Sequence, residues 1–383
     1  MKKIICYLFL SFSLFAIVAC NNQNNSEKQD EKASSLKEAL NDAFYIGAAL
    51  NVDQIFERDV MAVDIVKNHF SAIVAENCMK SMYLQPKEGE FFFDEADKFV
   101  EFGERNNMFI TGHCLIWHSQ APAWFFTDEN GNDVSKEVLI ERMKNHITTI
   151  VSRYKGRIKG WDVVNEAIND DGSWRNSKFY QIIGEEFIPL AFQFAHEADQ
   201  DVELYYNDYN EWHVGKRDAI VNMVKSLKEK GLRIDAVGMQ GHMGMDYPTL
   251  QEYKAAIDAY ASSGVKVMIT EFDMSALPSP RQNVGANVAD TEAYRQEVNP
   301  YTDGLPESVS LAWTKRMTEF LKLFIDNKSN VSRVTMWGVT DAGSWKNNFP
   351  MRGRTDYPLL FGRDNKAKPI VDEIIKQIDN KNN

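Results

Sequence analysis

Apolar and polar positions along the chain fall into two alternating kinds of run. Short stretches dense in Val, Ile, Leu and Ala give way to longer ones in which apolar residues recur every three or four positions. The short runs have the character of strands buried on both faces, the long ones that of amphipathic helices. Strand-like runs are Phe44 to Leu50, Ala72 to Ala75, Met108 to Cys114, Ile158 to Val164, Val202 to Tyr206, Ala236 to Met239, Val265 to Thr270 and Val334 to Gly338. Helical stretches separate them, for example "VSKEVLIERMKNHITTIVSRY" after the third and "GKRDAIVNMVKSLKEKG" after the fifth. Thr249 and Glu252 have the capping-box spacing that opens a helix after the sixth strand. Eight such strand and helix repeats past residue 40 predict an α/β fold, a (β/α)8 TIM barrel forming a single catalytic domain.

The N-terminal region breaks this pattern. Lys2 and Lys3, an apolar stretch from Tyr7 to Val18, and the tetrapeptide Ile17-Val18-Ala19-Cys20 read as an export signal ending in a lipobox, with Cys20 carrying the lipid. The next residues are almost entirely polar. The expected organisation is a signal peptide over 1–20, a flexible polar tether over 21–36 and the barrel over 37–383. Such a protein is exported and held in the cell envelope, at the outer membrane, facing the periplasm or the surface. Its contact with a membrane is expected only through the lipid on Cys20. One long segment, Leu277 to Ser310, is rich in Pro, Asn, Gly and Ser and follows the seventh strand as a loop.

Composition narrows the partners. A net charge of −12 on 383 residues, with no basic run to offset it, excludes a phosphate-tracking surface, so no nucleic acid is expected. Of four Cys, Cys6 lies in the signal and Cys20 at its end, which leaves Cys78 and Cys114 as buried thiols rather than a disulfide framework. Eight Trp is a high count; burial in the core accounts for most of them, and Trp also gives flat platforms for sugar rings. The chain is expected to be a monomer.

Candidate chemistry gathers at the strand ends, where a TIM barrel builds its active site. Reading past each run gives Glu76, Asn77 and Lys80; His113, Trp117 and His118; Asn165 and Glu166; Asn207 and Asp208; Gln240 and His242; Glu271 and Asp273; Trp337 and Trp345. Two carboxylates, Glu166 and Glu271, stand on the fourth and seventh strands. Opposed carboxylates on a Trp-rich rim suit cleavage of a glycosidic bond, one group protonating the leaving oxygen and the other attacking the anomeric carbon or activating water. Glu271 and Asp273, two apart, share a strand face, and His242 could bridge them from the sixth strand. Asn165 and Glu166 are adjacent and would point to opposite faces unless the strand ends or bulges there. His113 and His118, five apart, fit neither one helix face nor one strand face, so a metal pair is disfavoured and no metal or cofactor is expected.

The motifs "GHCLIWHSQAPAWF", "WDVVNEAI", "LYYNDYN", "GMQGHM", "ITEFDM" and "MWGVTDAGSW…PLLF", in this order, make the chain resemble a glycoside hydrolase family 10 endo-β-1,4-xylanase. That resemblance implies endo-acting, retaining hydrolysis of xylan and xylo-oligosaccharides. It assigns Glu166 as acid/base, Glu271 as nucleophile, Asn165 as partner of the sugar 2-hydroxyl, and His242 with Asp273 as support for Glu271. Glu76, Asn77, Lys80, His113, Trp117, Gln240, Trp337 and Trp345 would line the glycone side, and Tyr209 would stack a sugar on the aglycone side. Cys78, Ser81 and Cys114 depart from the family pattern beside these residues and leave both carboxylates in place. The competing expectation is a catalytically silent, surface xylan-binding lipoprotein.

Overall fold

Aliphatic and β-branched runs form the inner wall of a closed parallel barrel in the computed structural model, which describes residues 34–278 and 297–382. The strands are β1 Tyr45–Leu50, β2 Ala72–Ala75, β3 Phe109–Trp117, β4 Gly160–Asn165, β5 Glu203–Asp208, β6 Ala236–Met239, β7 Lys266–Met274 and β8 Val331–Met336. Each pairs in parallel with the next, and β8 returns to β1 with Gly47 opposite Thr335, closing the ring. Closure leaves no sheet edge, and the near-continuous burial of each strand follows from helices covering the outer face. A further two-residue strand, His242–Met243, lies beside the end of β7 with His242 opposite Asp273.

Several boundaries differ from the sequence reading. β3 runs on to Trp117 rather than stopping at Cys114, and β7 to Met274 rather than Thr270. In both, the ladder continues through polar side chains that interrupt the apolar run: Trp117 still pairs with Asn165, and His242 with Asp273. The last strand sits earlier than expected, ending at Met336, because Gly338 adopts a positive φ of 129° and leaves the ladder.

The helices hold the barrel from outside. Ser135 caps the helix Lys136–Arg153 by accepting the Val138 N–H, and Leu139, Met143, Ile147 and Ile150 form its buried stripe. The capping box at Thr249 is present, with reciprocal bonds between Thr249 and Glu252 opening the helix Leu250–Ser262. Cys78 and Cys114 are buried free thiols, and burial pushes the Cys78 thiol up to about 12.

The signal, the lipobox and residues 21–33 of the expected tether lie outside the described residues, as does 279–296 of the long loop. Ser35 and Leu36, the last residues assigned to the tether, are buried. Ser35 caps the short helix Leu36–Ala39, which packs on the C-terminal helix Pro369–Asn382, so ordered packing begins two residues earlier than 37. Among the described residues no helix is long and apolar enough to cross a membrane.

Candidate active site

The strand that carries "WDVVNEAI" answers the question its adjacent polar residues pose. β4 ends at Asn165, after a register shift against β5 between Asp162 and Val164. The next residue, Glu166, turns into the left-handed region at φ 58°. For a residue with a Cβ this conformation costs about 1–3 kcal/mol, so the surroundings must enforce it. The turn undoes the strict alternation of a strand. Glu166 therefore faces the same rim as Asn165, with Oε1 3.3 Å from the Asn165 amide.

Two N–H donors from other strands fix the Glu166 carboxyl. Trp117, at the end of β3, donates its indole N–H to Oε2 over 2.9 Å. Gln240, just past β6, donates Nε2 to Oε1 over 3.0 Å. Gln240 is itself anchored by its own backbone N–H, which donates to the buried Glu211 carboxyl. Burial pushes that Glu211 carboxyl up to about 8, beyond what its hydrogen bonds offset.

Glu271 is surrounded differently. It is buried on β7, and burial alone would raise its carboxyl. The hydrogen bond from His242 and the positive charge of His113, His242 and Lys80 outweigh that and hold it below the ordinary Glu range. His242 lies between two acids, Nε2 3.2 Å from Glu271 Oε2 and Nδ1 3.0 Å from Asp273 Oδ2. Burial would lower the imidazole, but the charge of Asp273 and the bonds to both acids push it up to about 9. Asp273 also accepts the Trp345 indole N–H at 2.8 Å and pairs with the buried Lys346 at 3.4 Å. Burial favours its neutral form, yet the charges of His242 and Lys346 hold its carboxyl down.

The remaining rim residues close around these acids. Lys80 is buried, donates to Asn77 Oδ1 at 3.0 Å, and its ammonium lies 4.9 Å from the centre of the Trp117 ring. Glu76, at the end of β2, has its carboxyl raised by burial against the opposing pull of Lys80. His113 binds the buried Asp162 through Nδ1 at 2.9 Å and meets Trp337 edge-on at 5.4 Å between ring centres. Tyr209 stands further out: its hydroxyl accepts from Arg175 at 2.8 Å, and the Lys216 ammonium sits 4.0 Å from its ring centre, occupying one face. His118 lies at the rim behind Trp117, and burial lowers its imidazole. Among the described residues no group of three or more His, Cys, Asp and Glu is arranged to hold a metal ion.

Sequence reasoning missed the supporting residues. Asn207 is legible only as a strand end, yet its amide donates to Glu271 Oε1 at 2.8 Å and lies 3.0 Å from the Asn165 amide. Asp162 is hidden in an apolar run, and Lys346 sits in the short 3-10 turn Trp345–Asn348, outside any apolar periodicity. Lys216 lies in an amphipathic helix where a Lys reads as solvated, but it is fully buried between Asp208 at 3.0 Å and Asp170 at 2.9 Å. A Lys breaking the apolar stripe was the available signal.

A closed parallel barrel whose strand ends aim two acids into one rim, one pinned as an anion and the other held by neutral donors, defines a barrel glycoside hydrolase. Within that class the chain belongs to glycosyl hydrolase family 10, whose family model matches residues 35–377. It is 48% identical over 342 residues to endo-1,4-beta-xylanase A of Xylanibacter ruminicola, covering 89% of this chain and 93% of that protein. It is 41% identical to an endo-1,4-beta-xylanase of Geobacillus stearothermophilus, covering 89% of this chain and 98% of that one. The solved structure of a GH10 endoxylanase from a sugarcane soil metagenome superposes with a TM-score of 0.84 at 41% identity, over 90% of this chain and 100% of that one.

Proposed function

We propose that this protein cleaves internal β-1,4-xylosidic bonds of xylan by double displacement, with Glu271 as nucleophile and Glu166 as acid/base. The observation that carries this is the unequal treatment of the two acids. Glu271 is held as an anion by His242, His113 and Lys80, whereas the Glu166 carboxyl accepts hydrogen bonds from the neutral donors of Trp117 and Gln240. In the first step the Glu271 carboxylate bonds to the anomeric carbon as the bond to the leaving sugar oxygen breaks, and Glu166 gives its proton to that oxygen. In the second, Glu166 takes a proton from water as the water oxygen attacks the anomeric carbon and Glu271 leaves. Asn165 meets the 2-hydroxyl of the reacting sugar in this reading. Glu76, Asn77, Lys80, His113 and the Trp residues hold the glycone side, and Tyr209 meets the sugar on the aglycone side.

The test is a pair of experiments on one variant. Glu271→Ala should lose nearly all hydrolysis of xylan, and added azide should restore turnover of an activated aryl xylobioside as the α-configured glycosyl azide. An activated 2-fluoro-xyloside should leave its mass on the peptide containing Glu271 in the unmodified enzyme. A first hydrolysis product of inverted configuration from the unmodified enzyme, or a label elsewhere, would overturn the reading. The relatives' names and the presence of both acids favour catalysis over silent binding, for which xylan binding without release of reducing ends would be the mark. Export, lipid attachment and a monomeric state belong to the same proposal. Residues 1–20 support the first two, and loss of palmitate labelling in Cys20→Ala, with light scattering for the third, would test them.

A further inference from the structure

The backbone N–H and C=O groups of Glu166 and of the next residue, Ala167, are all tied. The Glu166 N–H donates to the Asn207 carbonyl at 2.9 Å, and the Ala167 carbonyl accepts the Arg175 backbone N–H at 2.8 Å. These two bonds are main chain to main chain. The other two come from side chains: Arg175 Nε donates to the Glu166 carbonyl at 2.7 Å, and the Ala167 N–H donates to the Tyr206 hydroxyl at 3.0 Å.

Both side chains are themselves held. Arg175 also donates through Nη2 to the Tyr209 hydroxyl at 2.8 Å. Tyr206 is fully buried and donates its own proton to Asp208 Oδ2 at 2.5 Å, which turns a lone pair toward the Ala167 N–H. Asp208 is fixed in turn by the buried Lys216. The strained φ of 58° at Glu166 thus lies between two oriented clamps. If the clamps were released, φ would relax toward the extended region and the side chain would swing back toward the opposite strand face.

We propose that Arg175 and Tyr206 are positioning residues for proton transfer, holding Glu166 in its left-handed turn so that its carboxyl is aimed at the leaving oxygen. This rests on the reading of Glu166 as acid/base. A positioning role predicts a signature that general destabilisation lacks: loss should track how much the leaving group needs a proton. The comparison uses phenyl β-xylobioside, whose leaving group needs protonation, and 2,4-dinitrophenyl β-xylobioside, whose leaving group does not. Glu166→Ala serves as reference.

Arg175→Met and Tyr206→Phe should each lose about 10- to 100-fold in kcat/KM on the phenyl substrate, as misplacement of a reacting group by an ångström does. On the dinitrophenyl substrate the loss should stay below about threefold, because no general acid is needed there. Arg175→Lys, which keeps a donor for the Glu166 carbonyl, should recover part of the phenyl activity. Equal losses on both substrates, or none on either, beside a normal split in Glu166→Ala would overturn the positioning role. Glu166→Ala losing equally on both would instead sink the acid/base reading and this inference with it. Tyr206→Phe removes one hydroxyl and leaves Asp208 its Lys216 partner, so it decides the matter if Arg175→Met fails to fold.

Discussion

Asn207 holds Glu271 by a single N–H directed at Oε1 over 2.8 Å, and the direction is fixed because the Thr270 hydroxyl donates to the other end of the same amide at 2.6 Å. The amide cannot flip without breaking both bonds. Asn207→Ala should therefore lower kcat on xylan by about 100- to 1,000-fold with the barrel intact, the scale set by loss of one oriented donor to a reacting charge. Asn207→Asp is sharper. A second carboxylate beside Glu271 disfavours its ionised form, so the acid limb of kcat/KM against pH should move to higher pH. A limb that stays in place in Asn207→Asp would show that Asn207 does not tune Glu271.

Gly238 on β6 leaves the room that Asn207 occupies. A Cβ there would stand 2.4 Å from Asn207 Oδ1 and 2.8 Å from Thr270 Cγ2. Gly238→Ala should displace the amide and reduce activity about as much as Asn207→Ala, with an added loss of stability of about 1–3 kcal/mol from overpacking. The double variant should be no less active than either single one. Additive losses in kcat would mean that Gly238 acts by another route.

The contributions of Glu211 and His242 to thermal stability should fall as pH rises from about 5 to about 9, against an opposing gain up to about pH 6.5 from the buried His146, whose imidazole burial lowers to about 3. Glu211 in the fold is raised to about 8 and His242 to about 9, both above their unfolded values. A group with a raised folded pKa contributes stability that is complete below its unfolded pKa and is lost as pH climbs through the folded one. For Glu211 that window runs from about 4.5 to about 8, and for His242 from about 6.5 to about 9. Glu211→Gln keeps an acceptor for the Gln240 N–H and should flatten the first part of the decline. Melting temperatures across this range, with and without the substitution, measure it directly, and identical slopes would contradict the assignment.

Lys216 is buried against Asp208, whose carboxyl is pushed up to about 6 by burial despite that partner. Lys216→Met would leave Asp208 without its cation and should cost about 3–5 kcal/mol in chemical denaturation. Adding Asp208→Asn should recover a substantial part, because the uncompensated charge is then gone. No recovery would indicate that Lys216 acts through packing or through Asp170 instead.

Much of this protein was legible in its sequence, unevenly and for physical reasons. β2 and β6 lie where the apolar runs place them, since a strand covered on both faces must be apolar throughout. β3 and β7 outrun their apolar cores because the ladder carries on into the site, where polar side chains replace aliphatic ones. The same replacement made the strand ends stand out as a rim. Arg175, Tyr206 and Lys216 did not stand out, because a guanidinium, a phenol or an ammonium has its meaning only from what it touches.

The sequence alone determined the alternation of strands and helices, the order of six motifs and the placement of two acids at the ends of β4 and β7. Those features depend on residues near one another in the chain. Only the folded molecule decided that Glu166 turns left-handed onto the rim beside Asn165, and that the groups around Glu271 hold its carboxyl below the ordinary Glu range. The donors and cations responsible come from the ends of β2, β3 and β5 and from the stretch after β6, far apart along the chain, and closure of the barrel is what brings them together.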